Sequence, residues 1–301
     1  MKRSFTRRQF LGYSVLAAGV FATASTPLFA GAKRTAADQV PLGKTGLSLS
    51  RLGLGTGSNN GAPQFALGQD GFTKLVHYAY DHGITYIDCA QSYRTFNMVG
   101  AAIKGLPREK LFLQSKVMGQ PKDVLQVIDN HRKVLGVDCI DSLLVHCMTQ
   151  GNWTDDFKRV MEAFDQAQEK KWIRLKGVSC HTLPALRSAN KSEWPQVHLV
   201  RVNPQGRHID GERDDWNATG VPIDPVLAEV RQMRAKGRGI IGMKICGNGD
   251  FTNPDDREKS IRFAMAQPEI DAVVIGFKST AEIDEAIERI NRALADSARP
   301  A

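Results

Sequence analysis

Cysteine is scarce in this chain, five in 301 residues, and no two stand in a C-x-x-C spacing; no H-E-x-x-H occurs either. These absences exclude a small disulfide-stapled module, a zinc ribbon and a zincin, each of which needs bridges or ligands at short fixed spacing. Long runs of one charge are also missing. The formal charge is +8 from 40 basic and 32 acidic residues, but residues 1–32 hold Lys2, Arg3, Arg7 and Arg8 and no acid, so half of the surplus belongs to that segment. The other 36 basic residues (40 less these four) are interspersed with the acids, which gives no support to a nucleic-acid or membrane-surface role. No internal repeat and no interdomain linker is visible. What is present is an ordinary globular composition, 42% hydrophobic and 24% charged with 27 Gly spread along the chain, at a length that suits one large α/β domain.

The first thirty residues read as an address. Lys2 to Arg8 form a positive region, residues 11–29 are apolar with many small side chains, and Ala30-Gly31-Ala32 is an A-x-A cleavage site. Within the positive region, Thr6-Arg7-Arg8-Gln9-Phe10-Leu11 resembles a twin-arginine export signal. The expectation is a signal peptide at 1–32 and a single domain at 33–301, exported folded to the periplasm with the twin-arginine translocase as transient partner. The other reading of residues 11–29 is a short membrane anchor, which Gly12, Gly19 and Pro27 disfavour. No stable membrane association is expected after cleavage.

Past residue 40, short apolar or β-branched runs alternate with longer segments of helical period. Strands are expected at 51–56, 85–89, 111–117, 139–146, 173–179, 197–202, 239–245 and 271–276. Helices are expected at about 70–82, 97–105, 121–136, 155–170, 182–190, 223–237, 255–266 and 280–295. Strict alternation of eight strands and eight helices predicts a closed α/β architecture, the (β/α)8 TIM barrel, whose chemistry gathers where strands end. Residues 39–50 read as an N-terminal β-hairpin turning at Lys44-Thr45-Gly46, placed to plug the barrel bottom.

Four residues at those ends form a constellation. The second strand ends in Asp88 with Tyr93 in the following loop, the third carries Lys116, and the fourth ends in His146. A tyrosine donates its proton poorly near neutral pH; a neighbouring ammonium stabilises the phenolate, and a carboxylate keeps that ammonium charged and placed. A histidine beside them can donate a hydrogen bond to a carbonyl oxygen as charge develops on it. Together they suit protonation of a carbonyl. Taken alone, Asp88 and Lys116 would read as a structural ion pair.

Over residues 40 to about 292 the chain resembles the aldo-keto reductase superfamily, on Tyr86-Ile-Asp-Cys-Ala-Gln-Ser-Tyr93, Leu113-Gln-Ser-Lys116, Asp138-Cys-Ile-Asp-Ser-Leu-Leu-Val-His146, Gly55-Thr56 and Gly177-Val178-Ser179. The resemblance implies reduction of an aldehyde or ketone to an alcohol, or the reverse, with Tyr93 as general acid and Asp88, Lys116 and His146 completing the catalytic set. It implies a nicotinamide cofactor held by Gly55, Thr56, Ser179, Cys180, Lys244, Gly276, Lys278, Ser279 and Glu282. Lys278 and Ser279 point to NADP by offering a 2′-phosphate partner, with NAD as the other choice; the plainer reading of Lys278 is a solvated lysine at a helix start. Cys180, Leu199, Asp284 and Ala286 depart from the family pattern. Substrate walls are expected from Trp153, Trp216 and Arg207, the arginine facing an acidic substituent, and the partner is a small carbonyl or alcohol. A barrel that kept the fold and lost turnover would instead be a periplasmic metabolite-binding or sensor protein.

Cys89, Cys147, Cys180 and Cys246 lie at or just past strand ends. Packing is the ordinary role of such residues. Cys147 and Cys180, with His146 and His181 beside them, have two other options, a disulfide or a soft-metal site.

Overall fold

The computed structural model describes residues 34–215 and 217–297. A hairpin, β1 (Gln39–Pro41) and β2 (Ser48–Ser50), precedes eight strands: β3 (Leu52–Gly55), β4 (Tyr86–Asp88), β5 (Phe112–Met118), β6 (Ile140–Met148), β7 (Ile173–Cys180), β8 (Val197–Arg201), β9 (Gly239–Met243) and β10 (Ala272–Gly276). These eight pair in parallel and close on themselves, β10 beside β3. Each expected strand is found, with ends differing by a few residues.

The eight main helices are α1 (Gly68–Asp81), α2 (Phe96–Ala102), α3 (Val124–Leu135), α4 (Lys158–Glu169), α5 (Leu183–Lys191), α6 (Asp224–Ala235), α7 (Pro254–Met265) and α8 (Thr280–Ser297). Their apolar residues recur three and four apart, as in α3, which buries Val124, Ile128, His131 and Leu135. Asp123 caps α3 by accepting the Gln126 N–H, Thr182 caps α5 by accepting that of Ala185, and Asn253 does the same for α7 through Asp255. The helix expected at 155–170 is two: a short one at Trp153–Asp156, then α4.

Two apolar layers result. Side chains facing outward from the strands, such as Leu143, Val145 and Ile240, pack with the helices. Those facing inward, Tyr86, Phe112, Leu144, Leu175, Ile241 and Val274 among them, fill the barrel together with Val40, Leu42 and Leu49 of the hairpin. The hairpin therefore stops the lower end, held by Gly43 N–H to Asp271 Oδ2 at 3.0 Å and Lys44 N–H to the Gly237 carbonyl at 2.7 Å. Leu42 and Leu49 are fully buried there, worth about 1.5–3 kcal/mol each. With its lower end plugged, the barrel can bind only at the end where the strands finish. Among the described residues, no helix is long and apolar enough to cross a membrane.

Candidate active site

Asp88, the last residue of β4, and Lys116 on β5 face each other across one strand gap. The Lys116 ammonium donates to both Asp88 oxygens at 2.7 Å and to the Cys89 carbonyl at 2.9 Å, so all three of its hydrogens have protein acceptors. Both side chains are nearly inaccessible. The carboxylate also accepts from Gln114 Nε2 at 2.9 Å, and Gln114 Oε1 accepts from the Ser142 hydroxyl at 2.9 Å. Gln114 was missed at the sequence level; its signal was the two-residue spacing from Lys116, which puts both on the inner face of one strand. Thr56 fixes the same strand end, its N–H and hydroxyl both reaching the Asp88 carbonyl, at 3.0 and 2.9 Å.

Tyr93 lies over this pair, with the Lys116 nitrogen 4.9 Å from its ring centroid. Gly57 makes room for the ring: a Cβ there would stand 2.3 Å from two of the ring carbons and 2.7 Å from the hydroxyl. His146 meets Tyr93 edge to face at 5.6 Å between centroids. The register of β6 slips between Val145 and Met148, and Cys147 takes a left-handed φ of 65°. That bulge sits where His146 leaves the ladder.

The electrostatics set burial against the pull of Lys116. Burial pushes the Tyr93 phenol up to about 12, and the opposing pull of Lys116 only partly offsets it, with Asp88 adding to the rise. Lys116 is the counterpart: burial would lower its pKa, but Asp88 holds it above the ordinary lysine value. Burial, Lys116 and Lys244 keep the His146 pKa well below the ordinary histidine value. Near neutral pH the cluster is thus a protonated phenol, a charged ammonium and a neutral imidazole.

From Tyr93 and Asp88 a cavity of about 450 Å³ runs past Met243 and Lys244 and between the ends of β3 and β10, reaching Arg257 and Arg289 on α7 and α8. Of the residues expected to hold a cofactor, Gly55, Lys244, Gly276, Lys278 and Glu282 line it. Lys244 donates to Asn248 Oδ1 at 2.7 Å, and Asn248 donates to Asn59 Oδ1 at 2.9 Å, joining the loops after β9 and β3. Burial, with Arg201 and Lys116 nearby, lowers the Lys244 pKa to about 8.

The remaining expected residues lie elsewhere. Thr56 and Ser179 are buried, the latter with its hydroxyl 3.4 Å from His181 Nε2. Ser279 accepts the Glu282 N–H at 3.3 Å. Cys180 is turned outward into the helix-facing layer and does not reach the cavity. Trp153 is no substrate wall: it opens a short helix, is 1% exposed, and donates its indole N–H to the Ala185 carbonyl at 3.1 Å. An indole needs a partner when buried, and α5 supplies it. Arg207 does not line this cavity; it pairs with Asp250 and donates to the Asn217 carbonyl at 2.9 Å. Trp216 lies outside the described residues.

All five cysteines are free. Cys147 Sγ is 3.0 Å from His181 Nδ1 while Cys180 points to the other face of the sheet. Among the described residues no group of three metal-ligating side chains forms. Two residues the sequence reading passed over stand near this side of the mouth: Arg201, at the end of β8, and Asp210, in the following loop, form a buried pair at 3.4 Å. Only the strand-end position of Arg201 hinted at it.

A profile of the aldo/keto reductase family matches residues 51–211. The chain is 31% identical over 156 residues to the 9,11-endoperoxide prostaglandin H2 reductase of Trypanosoma cruzi, covering 47% of this chain and 53% of that protein. It is 37% identical over 167 residues to the NADH-specific methylglyoxal reductase of Escherichia coli, covering 47% and 51%. The chain thus spans about half the length of these curated relatives. In fold it is similar to a Pseudomonas aeruginosa protein assigned to the aldo-keto reductases, with TM-score 0.69, 23% identity and coverage of 87% of this chain and 98% of the other. It is also similar to an aldo-keto reductase from Bacillus halodurans in its holo form, at TM-score 0.65, 17% identity and coverage of 88% and 97%. The plugged barrel, the cluster of residue types at its strand ends and a profile match over more than half of the sequence agree, and the chain belongs to the aldo/keto reductase family.

Proposed function

We propose that the protein reduces an aldehyde or ketone to the alcohol, or runs the reverse oxidation, with a nicotinamide dinucleotide in the cavity and Tyr93 as the proton donor. The observation that carries this reading is the half-buried, protonated Tyr93 phenol seated between the Lys116 and Asp88 pair and the neutral His146, at the inner end of that cavity.

The residues present suit a dinucleotide. The cavity volume is that of a small-molecule site. Gly55 and Gly276 line it from two neighbouring strand ends, and Lys244 presents a half-buried amine suited to a diphosphate. When bound, the dinucleotide supplies the hydride. Tyr93 gives its proton to the carbonyl oxygen, and Lys116 stabilises the phenolate left behind. His146, neutral, offers a ring N–H to the same oxygen as negative charge gathers there. Asp88, fixed by Gln114 and Thr56, keeps Lys116 charged and stationary. NAD and NADP differ only in the adenosine 2′-phosphate, so the choice between them rests on the groups beyond β10.

Tyr93→Phe tests the reading. A general acid contributes roughly 10²–10⁴-fold, so kcat for a reducible aldehyde should fall by that factor while dinucleotide affinity stays within about twofold, since the hydroxyl acts mainly in the transition state. Unchanged turnover would remove Tyr93 as acid. Dinucleotide binding without turnover of any carbonyl would favour the binding or sensor role. On the residues Arg7, Arg8 and Ala30-Gly31-Ala32 alone, we also propose folded export through the twin-arginine pathway to the periplasm with residues 1–32 removed; that segment lies outside the described residues.

A further inference from the structure

We propose that the cavity selects a dinucleotide with a free 2′-hydroxyl on its adenosine ribose, NAD rather than NADP, with Glu282 as the selecting residue; the inference rests on the dinucleotide reading above. It reverses the expectation drawn from Lys278 and Ser279. The reason is how charge is matched at the far end of the cavity.

Lys278 is the cation that a 2′-phosphate would need, and it is already engaged. Glu282 Oε2 accepts its backbone N–H at 2.8 Å, and Glu282 Oε1 lies 3.7 Å from its ammonium. The lysine side chain is 68% exposed, so solvent and salt screen what attraction remains. Ser279 accepts the Glu282 N–H and is occupied as a helix cap. The two other cations lining this end are matched in the same way. Arg257 meets both oxygens of Glu285, at 2.8 and 3.2 Å, and donates to the Phe251 and Thr252 carbonyls. Arg289 joins Glu285 at 2.8 Å and Glu258 at 2.5 Å. Arg257 and Arg289 hold the Glu285 carboxyl below its usual pKa, which keeps it ionised. Asp284, on the same helix, accepts the Tyr78 hydroxyl at 2.8 and 3.0 Å and brings no cation to the cavity.

A phosphate carrying roughly two negative charges would meet two carboxylates, Glu282 and Glu285, where Arg257 and Arg289 already hold carboxylates and the exposed Lys278 is screened by solvent. A ribose diol has the opposite fit, because hydroxyls donate and an ionised carboxylate only accepts. A carboxylate facing the adenosine ribose is the usual physical solution for a free 2′-hydroxyl, and a surplus guanidinium that for a 2′-phosphate. At this end of the cavity the first is present.

Isothermal titration of the full chain with NAD+ and with NADP+ tests this without any turnover. NAD+ is expected to bind at least about tenfold more tightly, the scale of one charge-assisted contact. Glu282→Gln removes the charge and leaves an amide oxygen for the Lys278 N–H, so the helix start is preserved and a thermal melt should be unchanged. In that variant NAD+ should weaken and NADP+ should tighten, shrinking the preference by about tenfold or more. Tighter binding of NADP+ by the unmodified chain, or a ratio that Glu282→Gln does not move, would overturn the proposal. Binding of neither dinucleotide would overturn the cofactor reading beneath it, and this one with it.

Discussion

At Tyr93 burial competes with the charge of Lys116 and prevails, whereas at Lys244 burial and the neighbouring Arg201 and Lys116 act together. For the phenol burial favours the neutral form and preserves a transferable proton. For Lys244 it favours the neutral amine and leaves a site whose charge depends on pH in the working range. An anion bound beside Lys244 raises its pKa again, so binding takes up a proton where the free site has lost one. NAD+ affinity is therefore expected to be constant below about pH 8 and to weaken steadily from pH 8 to 9.5. Titrations in buffers of different ionisation enthalpy read both the affinity and the proton uptake. Lys244→Met should weaken binding at pH 7 and flatten the profile; a profile equally steep without the lysine would assign the effect to another group.

Elements position these residues through contacts that cross strands and loops. The loop from β4 to α2 carries Tyr93, and its ring rests where Gly57, after β3, has no side chain. The Gly57 backbone, at φ −116°, is open to any residue, so Gly57→Ala should fold normally and act only by displacing the ring. A misplacement of about 1 Å can cost on the order of a hundredfold in rate. That fall in kcat, with an unchanged melt and unchanged NAD+ affinity, is the expected outcome. Full activity would show that the loop yields without disturbing the phenol. The same loop is tied to α3 through His131, whose ring nitrogens meet Ser115 Oγ at 3.0 Å and Gln91 Oε1 at 2.9 Å. His131 is thus a tether for the loop of the proton donor.

The molecule as a whole stores neutral histidines. Burial lowers the pKa of His131 to about 4 and of His198 to about 3, and holds His146 and His181 well below their ordinary value. Each has a folded pKa below its unfolded one, so its contribution is complete above about pH 6.5 and is lost as pH falls through the folded value. For His131 alone the loss is on the order of 3 kcal/mol. Asp210 works the other way: burial raises it to about 7, so it gains stability across that whole window as pH falls. Four histidines against two carboxylates, Asp210 and the likewise raised Asp271, should leave a net loss, and urea unfolding should show midpoints falling between pH 6.5 and 4. A flat midpoint across that range would mean that the buried imidazoles are accommodated when charged.

The sequence by itself determined the eight strands and eight helices, because the periods of apolar residues are local and barrel strands are buried on both faces. It also placed Asp88, Lys116 and His146 at strand ends and Tyr93 in the loop beyond, since the end of a strand is read from where its apolar run stops. What faces what was decided only by the tertiary structure. Trp153 and Arg207 were assigned to the mouth by their loops, yet a partner carbonyl on α5 takes the indole and Asp250 takes the guanidinium. Lys278 and Ser279 carried the signature of a phosphate site, and the matching of Lys278 by Glu282 is a distance between side chains that no spacing states. The direction of the Tyr93 pKa was equally hidden: a neighbouring lysine is visible in a motif, whereas the burial that outweighs it is a sum over strands, helices and loops far apart in the chain.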